Sequence, residues 1–124
     1  MWREGLAREP RPGSETLVAE VGGEVVGFAS VGACRDDDAL GELYAIYLDS
    51  AHWGSGVGRA LLLRAEASLR ASGFAEARLW VLEGNERAER FYRAAGWERD
   101  GRKVEEFPGA DVEVVELRYS KRLT

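Results

Sequence analysis

Apolar and polar positions alternate from Thr16 to Gly32 with the two-residue period of half-buried strands, predicting one strand over Thr16 to Val21 and a second over Glu24 to Gly32. Gly22-Gly23 between them suits a tight hairpin turn that needs positive φ. A loop holding Asp36, Asp37 and Asp38 follows. Glu42 to Leu48 then reads as a strand rich in aromatic and branched residues, and it runs straight into glycines. From Val57 to Ser72 the period changes: Val57, Leu61, Leu62, Ala65 and Leu69 recur at helical steps, while Arg59, Arg64, Glu66 and Arg70 take the other face. Gly73 closes that helix. Ala77 to Leu82 is the next strand, and Asn85 to Ala95 a second helix with Ala88, Phe91 and Ala95 inward and Gly96 after it. Two last strands are expected over Trp97 to Val104 and Val112 to Tyr119, around Pro108 and Gly109. The order implies an α/β chain of the α+β type. Its sheet is mixed and mostly antiparallel, with a parallel pair in the middle joined by a right-handed crossover and helices flanking it.

Composition narrows the function. A chain of 124 residues, 45% hydrophobic, fits a single domain over 1–124. A net charge of -5 argues against nucleic acid as the main partner. No apolar run is long enough to span a bilayer, and Met1 to Glu4 does not read as a secretion signal, so no membrane partner and a cytoplasmic location are expected. Cys34 is the single cysteine and His52 the single histidine, so no metal site is expected. Catalysis then rests on carboxylates, tyrosines, hydroxyls or backbone groups.

Gly54-Ser55-Gly56-Val57-Gly58-Arg59 lies between a strand and a helix, where unpaired N–H groups and the positive end of the helix dipole converge on one point. Such a turn suits an anion, and a plain connecting loop is the alternative. The dinucleotide fingerprint fails because Arg59 stands where it needs glycine, and the P-loop ending Gly-Lys-Ser/Thr is absent.

The segment from Leu43 to Leu61 resembles the acetyl-CoA motif of the GNAT N-acetyltransferases, Gln/Arg-x-x-Gly-x-Gly/Ala after a strand. Asn85, Ala88, Phe91, Tyr92, Gly96 and Trp97 resemble the second signature of the same family, about 30 residues further on, and the likeness covers residues 16 to 120. The resemblance implies acetyl-CoA as cosubstrate, with the backbone of Ser55, Gly56, Val57, Gly58 and Arg59, following Trp53 and Gly54, holding the pyrophosphate. Ile46, Tyr47 and Leu48 would pair through their backbone with the pantetheine arm. A bulge in the first central strand would open the slot for that arm. Trp53 departs from the motif, because it stands at the Gln/Arg position and offers no polar contact to phosphate.

The implied activity is transfer of an acetyl group to an amine of a small molecule or peptide. A non-catalytic acyl-CoA-binding or regulatory domain is the alternative. The resemblance places Tyr92 beside the sulfur as proton donor; as a plain residue it is a half-buried helix tyrosine beside Phe91. Glu42 is the candidate base, against an exposed strand-end carboxylate, and Glu83 is a second candidate. Asn85 reads as a helix N-cap and, by resemblance, as a contact to the pantetheine region. His52 reads as a surface loop residue and Cys34 as a small packed one. Asp36 to Asp38 read as a solvated loop, with a negative rim that would attract a cationic amine as the alternative. Family members carry a strand and one or two helices before the first hairpin strand, whereas Pro10, Pro12 and Gly13 limit any helix here to Met1 to Arg8. Thr16 to Val21 is therefore expected to be a sheet edge, unless the N-terminal segment or a second subunit in a homodimer covers it.

Overall fold

Gly22 and Gly23 take positive φ (61° and 85°), the backbone that a hairpin turn of this kind requires. They join β2 (Glu15–Val21) to β3 (Glu24–Ala33), which pair antiparallel. In this computed structural model, residues 2–4 and 14–124 are described. The remaining elements are β1 (Trp2–Glu4), β4 (Gly41–Leu48), α1 (Val57–Ala71), β5 (Glu76–Leu82), α2 (Glu86–Ala94), β6 (Glu98–Phe107) and β7 (Val112–Arg122). They build a seven-stranded sheet in the order β1-β2-β3-β4-β5-β7-β6. Among the described strands only β4 and β5 run parallel, with α1 as their crossover, so the sheet is the mixed, mostly antiparallel one that the pattern predicts.

One face of the sheet is buried. Ala29, Val31, Leu43, Leu79, Leu117 and Tyr119 point to it, and α1 lays Leu61, Leu62, Ala65 and Leu69 against them. Burial of each such leucine contributes roughly 1.5–3 kcal/mol, which holds a helix that intrinsic propensity alone would not.

Three expectations are corrected. Glu66 lies on the buried side of α1, only 2% exposed, because its carboxylate accepts the Trp97 indole N–H (3.1 Å) and pairs with Lys121 (2.7 Å). Those partners stand 31 and 55 residues further along the chain. In α2 the deepest residues are Glu89 and Tyr92, while Ala88, Phe91 and Ala95 are partly buried against the core. Glu89 can go inward because Tyr119 donates to its carboxylate (2.6 Å) and Arg93 lies 3.4 Å away. Finally, Trp2–Glu4 is a strand rather than part of a helix, and it pairs with Leu17–Ala19, so that stretch of β2 is not a free edge. The rest of the N-terminal helix expectation, Met1 and Gly5 to Arg8, lies outside the described residues.

Candidate acyl-CoA site

Tyr44 divides β4 into two lengths. Leu43 registers with Val31 and Ala45 with Ser30, which leaves Tyr44 as the extra residue of a bulge. The Tyr44 hydroxyl donates to the Ala33 carbonyl, and the Arg35 guanidinium sits 4.8 Å from the ring centre, so the bulge is pinned from both sides. Before the bulge β4 pairs with β5 through Gly41↔Ala77, Glu42↔Arg78 and Leu43↔Leu79. Beyond it the pairing stops. Ala45 to Leu48 stay on β3, while Trp80 to Leu82 stay on β7. The sheet opens between its two halves, and Ala45 to Leu48 have no partner strand on the β5 side. The bulge that the resemblance implies is thus present.

The open end of β4 leads into the glycine turn. Asp49 N–H donates to the Val26 carbonyl (2.8 Å), and one 3₁₀ turn, Ser50–His52, carries the chain to Trp53. The Trp53 indole N–H turns back to the Leu48 carbonyl at 2.9 Å. Gly54 and Gly56 lie at φ of 76° and 89°, where a Cβ is strained. Gly56 is the N-cap of α1 and offers no side-chain cap. The first helical bond is Ala60 N–H to Gly56 carbonyl, 3.0 Å. The N–H groups of Gly56, Val57, Gly58 and Arg59 therefore have no partner among the described residues. Ser55 N–H, by contrast, donates to His52 at 3.3 Å, which removes it from the expected set of phosphate donors. Gly58 is needed for a different reason: a Cβ there would stand 3.3 Å from Leu48 and 3.6 Å from Phe91, where β4, α1 and α2 meet.

Other candidates separate by position. Ile46 and Leu48 pack on the core, but the Tyr47 side chain lies on the opposite face, 57% exposed and stacked on Phe28 at 6.0 Å. Only the Tyr47 backbone can serve the gap. The Asn85 carboxamide accepts from Ala88 N–H (3.2 Å) and caps α2. Tyr92 is 8% exposed, between the rings of Phe91, Trp97 and Tyr119. Burial pushes its phenol up to about 12. Its hydroxyl makes no hydrogen bond among the described residues, yet the buried polar atoms left without a partner are His52 Nδ1 and Arg78 Nε. The Tyr92 oxygen is thus the end of the ring that solvent reaches.

Glu42 is 6% exposed, not the solvated strand-end carboxylate of the bland alternative. It accepts the Arg35 N–H (3.2 Å), stands beside Arg78 in the sheet register, and lies two residues before the bulge. Glu83, after β5, is engaged by Arg102 at 3.4 Å. Burial first, and then a hydrogen bond to Asp36, raise the pKa of Cys34, which keeps it a protonated, packed thiol. Among the described residues no group of three or more His, Cys, Asp or Glu side chains could hold a metal ion. None of their helices is long and apolar enough to cross a membrane.

The chain resembles known proteins on three counts. The acetyltransferase (GNAT) family profile matches residues 2–97. An uncharacterized N-acetyltransferase of Bacillus subtilis (strain 168), YuaI, is 44% identical over 62 residues, which span 48% of this chain and about a third (36%) of that protein. The solved nourseothricin acetyltransferase superposes with a TM-score of 0.80 at 29% identity, covering 91% of this chain and 67% of its own. The ribosomal-protein-alanine N-acetyltransferase of Brucella melitensis does so at 0.76 and 27%, covering 90% and 70%. The fold is shared as well by yncA of Salmonella typhimurium, solved with its cofactor acetyl-CoA, at 0.75 and 23%, covering 90% and 66%. With its opened sheet and glycine turn, the chain belongs to the acetyltransferase (GNAT) family.

Proposed function

We propose that the chain binds acetyl-CoA along the open length of β4 and transfers the acetyl group to an amine of a small molecule or peptide. The observation that carries this reading is the continuity of the gap with the turn. The backbone of Ala45 to Leu48, which has no partner strand on its β5 side, leads directly to the four unpaired amides of Gly56 to Arg59. An amide-lined pantetheine arm suits the first and a pyrophosphate the second.

Bound acetyl-CoA supplies an activated acetyl carbon and a thiolate leaving group. The amine nitrogen forms its bond to that carbon, the carbon–sulfur bond breaks, and two protons must move. Tyr92 gives its proton to the departing sulfur. A phenol held well above its usual range is fully protonated at neutral pH, and its hydroxyl is free to turn toward a reacting atom. Glu42 takes the proton lost by the amine, through water, from the face of the sheet opposite the helices. Asp36 pairs with Arg78 at 3.9 Å, and the four carboxylates of Asp36 to Asp38 and Glu42 outnumber Arg35 and Arg78, an excess that favours a cationic acceptor.

Free-thiol release from acetyl-CoA, followed across a panel of small and peptide amines, tests the reading. Turnover with at least one amine is expected. Tight CoA binding without turnover on any amine favours a non-catalytic acyl-CoA-binding domain instead.

A further inference from the structure

Trp53 leaves the glycine turn without a charged side chain on its N-terminal flank, and the structure brings a cation to that place from elsewhere. The Arg87 guanidinium lies 4.1 Å from the centre of the Trp53 ring. Arg87 is in the first turn of α2, one turn before Phe91, and Phe91 faces Gly58 in the first turn of α1. The Trp53 ring is itself fixed, since its N–H is bonded to Leu48 at the end of β4. Arg87 is exposed and makes no hydrogen bond or ion pair with another described residue. A guanidinium that is held by a ring face and otherwise uncommitted keeps its five N–H donors for a ligand. Four unpaired amides lie just beyond Trp53, and Arg59 adds a second exposed cation on the same turn.

We propose that Arg87, stacked on Trp53, provides the charged side-chain contact to the pyrophosphate of coenzyme A, and that Trp53 acts as the positioning residue for it. The inference rests on the acyl-CoA reading above. Trp53 at the Gln/Arg position of the motif then does not delete a phosphate contact. It moves the contact from the turn to α2, with the indole as the platform.

The test measures CoA and 3′-dephospho-CoA affinities by calorimetry for the wild type, Arg87→Ala, Trp53→Leu and the double variant, with far-UV circular dichroism confirming that each folds. Loss of a charge-assisted contact is expected to weaken CoA roughly ten- to a hundredfold in Arg87→Ala. Trp53→Leu should weaken it by less, and should add nothing once Arg87 is gone. The dependence of affinity on salt should also flatten in Arg87→Ala. The same loss with 3′-dephospho-CoA places the contact on the pyrophosphate; a loss confined to CoA overturns that assignment. If the wild type binds CoA and Arg87→Ala binds it equally well, the inference fails alone. If the wild type does not bind CoA, the site reading fails with it.

Discussion

The two lengths of β4 sit in one strand and are paired differently. Gly41 to Leu43 are all buried and paired on both sides, with Leu43 at 4% exposure between Val31 and Leu79. Ala45 to Leu48 are paired on one side only, and no residue of that length is fully buried. One inserted residue, Tyr44, separates them. In the first length both backbone edges are used by the sheet, and in the second the edge toward β5 has no partner strand, which is the edge the proposed function gives to the ligand. One inserted residue thus opens the sheet, because a bulge redirects a strand through its backbone.

The sharpest way to break this comparison is to truncate the paired length. Leu43→Ala should cost about 2–5 kcal/mol of stability, read as a lower urea midpoint, because it leaves a cavity in the core. The folded fraction should still bind CoA with unchanged affinity; a matching fall in affinity would mean that the paired length is part of the site.

A smaller effect is expected where side-chain chemistry enters the slot. Tyr92→Phe should lower kcat about a hundredfold and leave the KM for acetyl-CoA within a few-fold, as removal of a proton donor does. The pH dependence sharpens this. The protonated phenol is the active form, and its pKa is raised to about 12, so the rate should hold on the alkaline side past pH values near 10, where an ordinary tyrosine ionises. A wild-type limb near 10 that vanishes in Tyr92→Phe would show that burial does not tune this group. Stability has the same sign: the contribution of the buried neutral phenol is complete below about pH 10 and is lost as pH rises toward 12.

Gly56→Ala comes next. No atom lies within 4 Å of the added Cβ, so the fold should survive, but φ of 89° costs an alanine roughly 1–2 kcal/mol. The turn should relax and CoA affinity fall about tenfold, measured by calorimetry. Full affinity would mean that the amides need no left-handed N-cap. Last, Asn85→Ala should remove about 1 kcal/mol of stability through the lost cap on α2. A large loss of CoA affinity as well would add a ligand contact to its capping role.

Periodicity made the strands and helices legible within a few residues, because each buries one face and local pattern records that face. Glu66 and Glu89 were not legible as buried residues. Their partners Trp97, Lys121 and Tyr119 arrive from distant strands, and a charged residue at helical spacing reads as solvent-facing until those partners are known. At the site, the glycine turn and Asn85 could be read because glycine and capping residues carry backbone information locally. Tyr44 could not be read as the bulge, since register is a property of two strands. Ser55 looked like a phosphate donor until its N–H was found on His52. The meeting of Arg87 with Trp53 depends on the packing of α2 against the start of α1, and no spacing in the chain reports that.

The central claim is that the open length of β4 and the amides of the glycine turn form one ligand surface. Backbone amide resonances followed by NMR during titration with CoA test it most directly. The account predicts large shifts at Gly56, Val57, Gly58 and Arg59 and along Ala45 to Leu48, with Gly41 to Leu43 nearly unchanged. Saturable binding that leaves Gly56 to Arg59 unmoved, or that shifts both lengths of β4 equally, would contradict it.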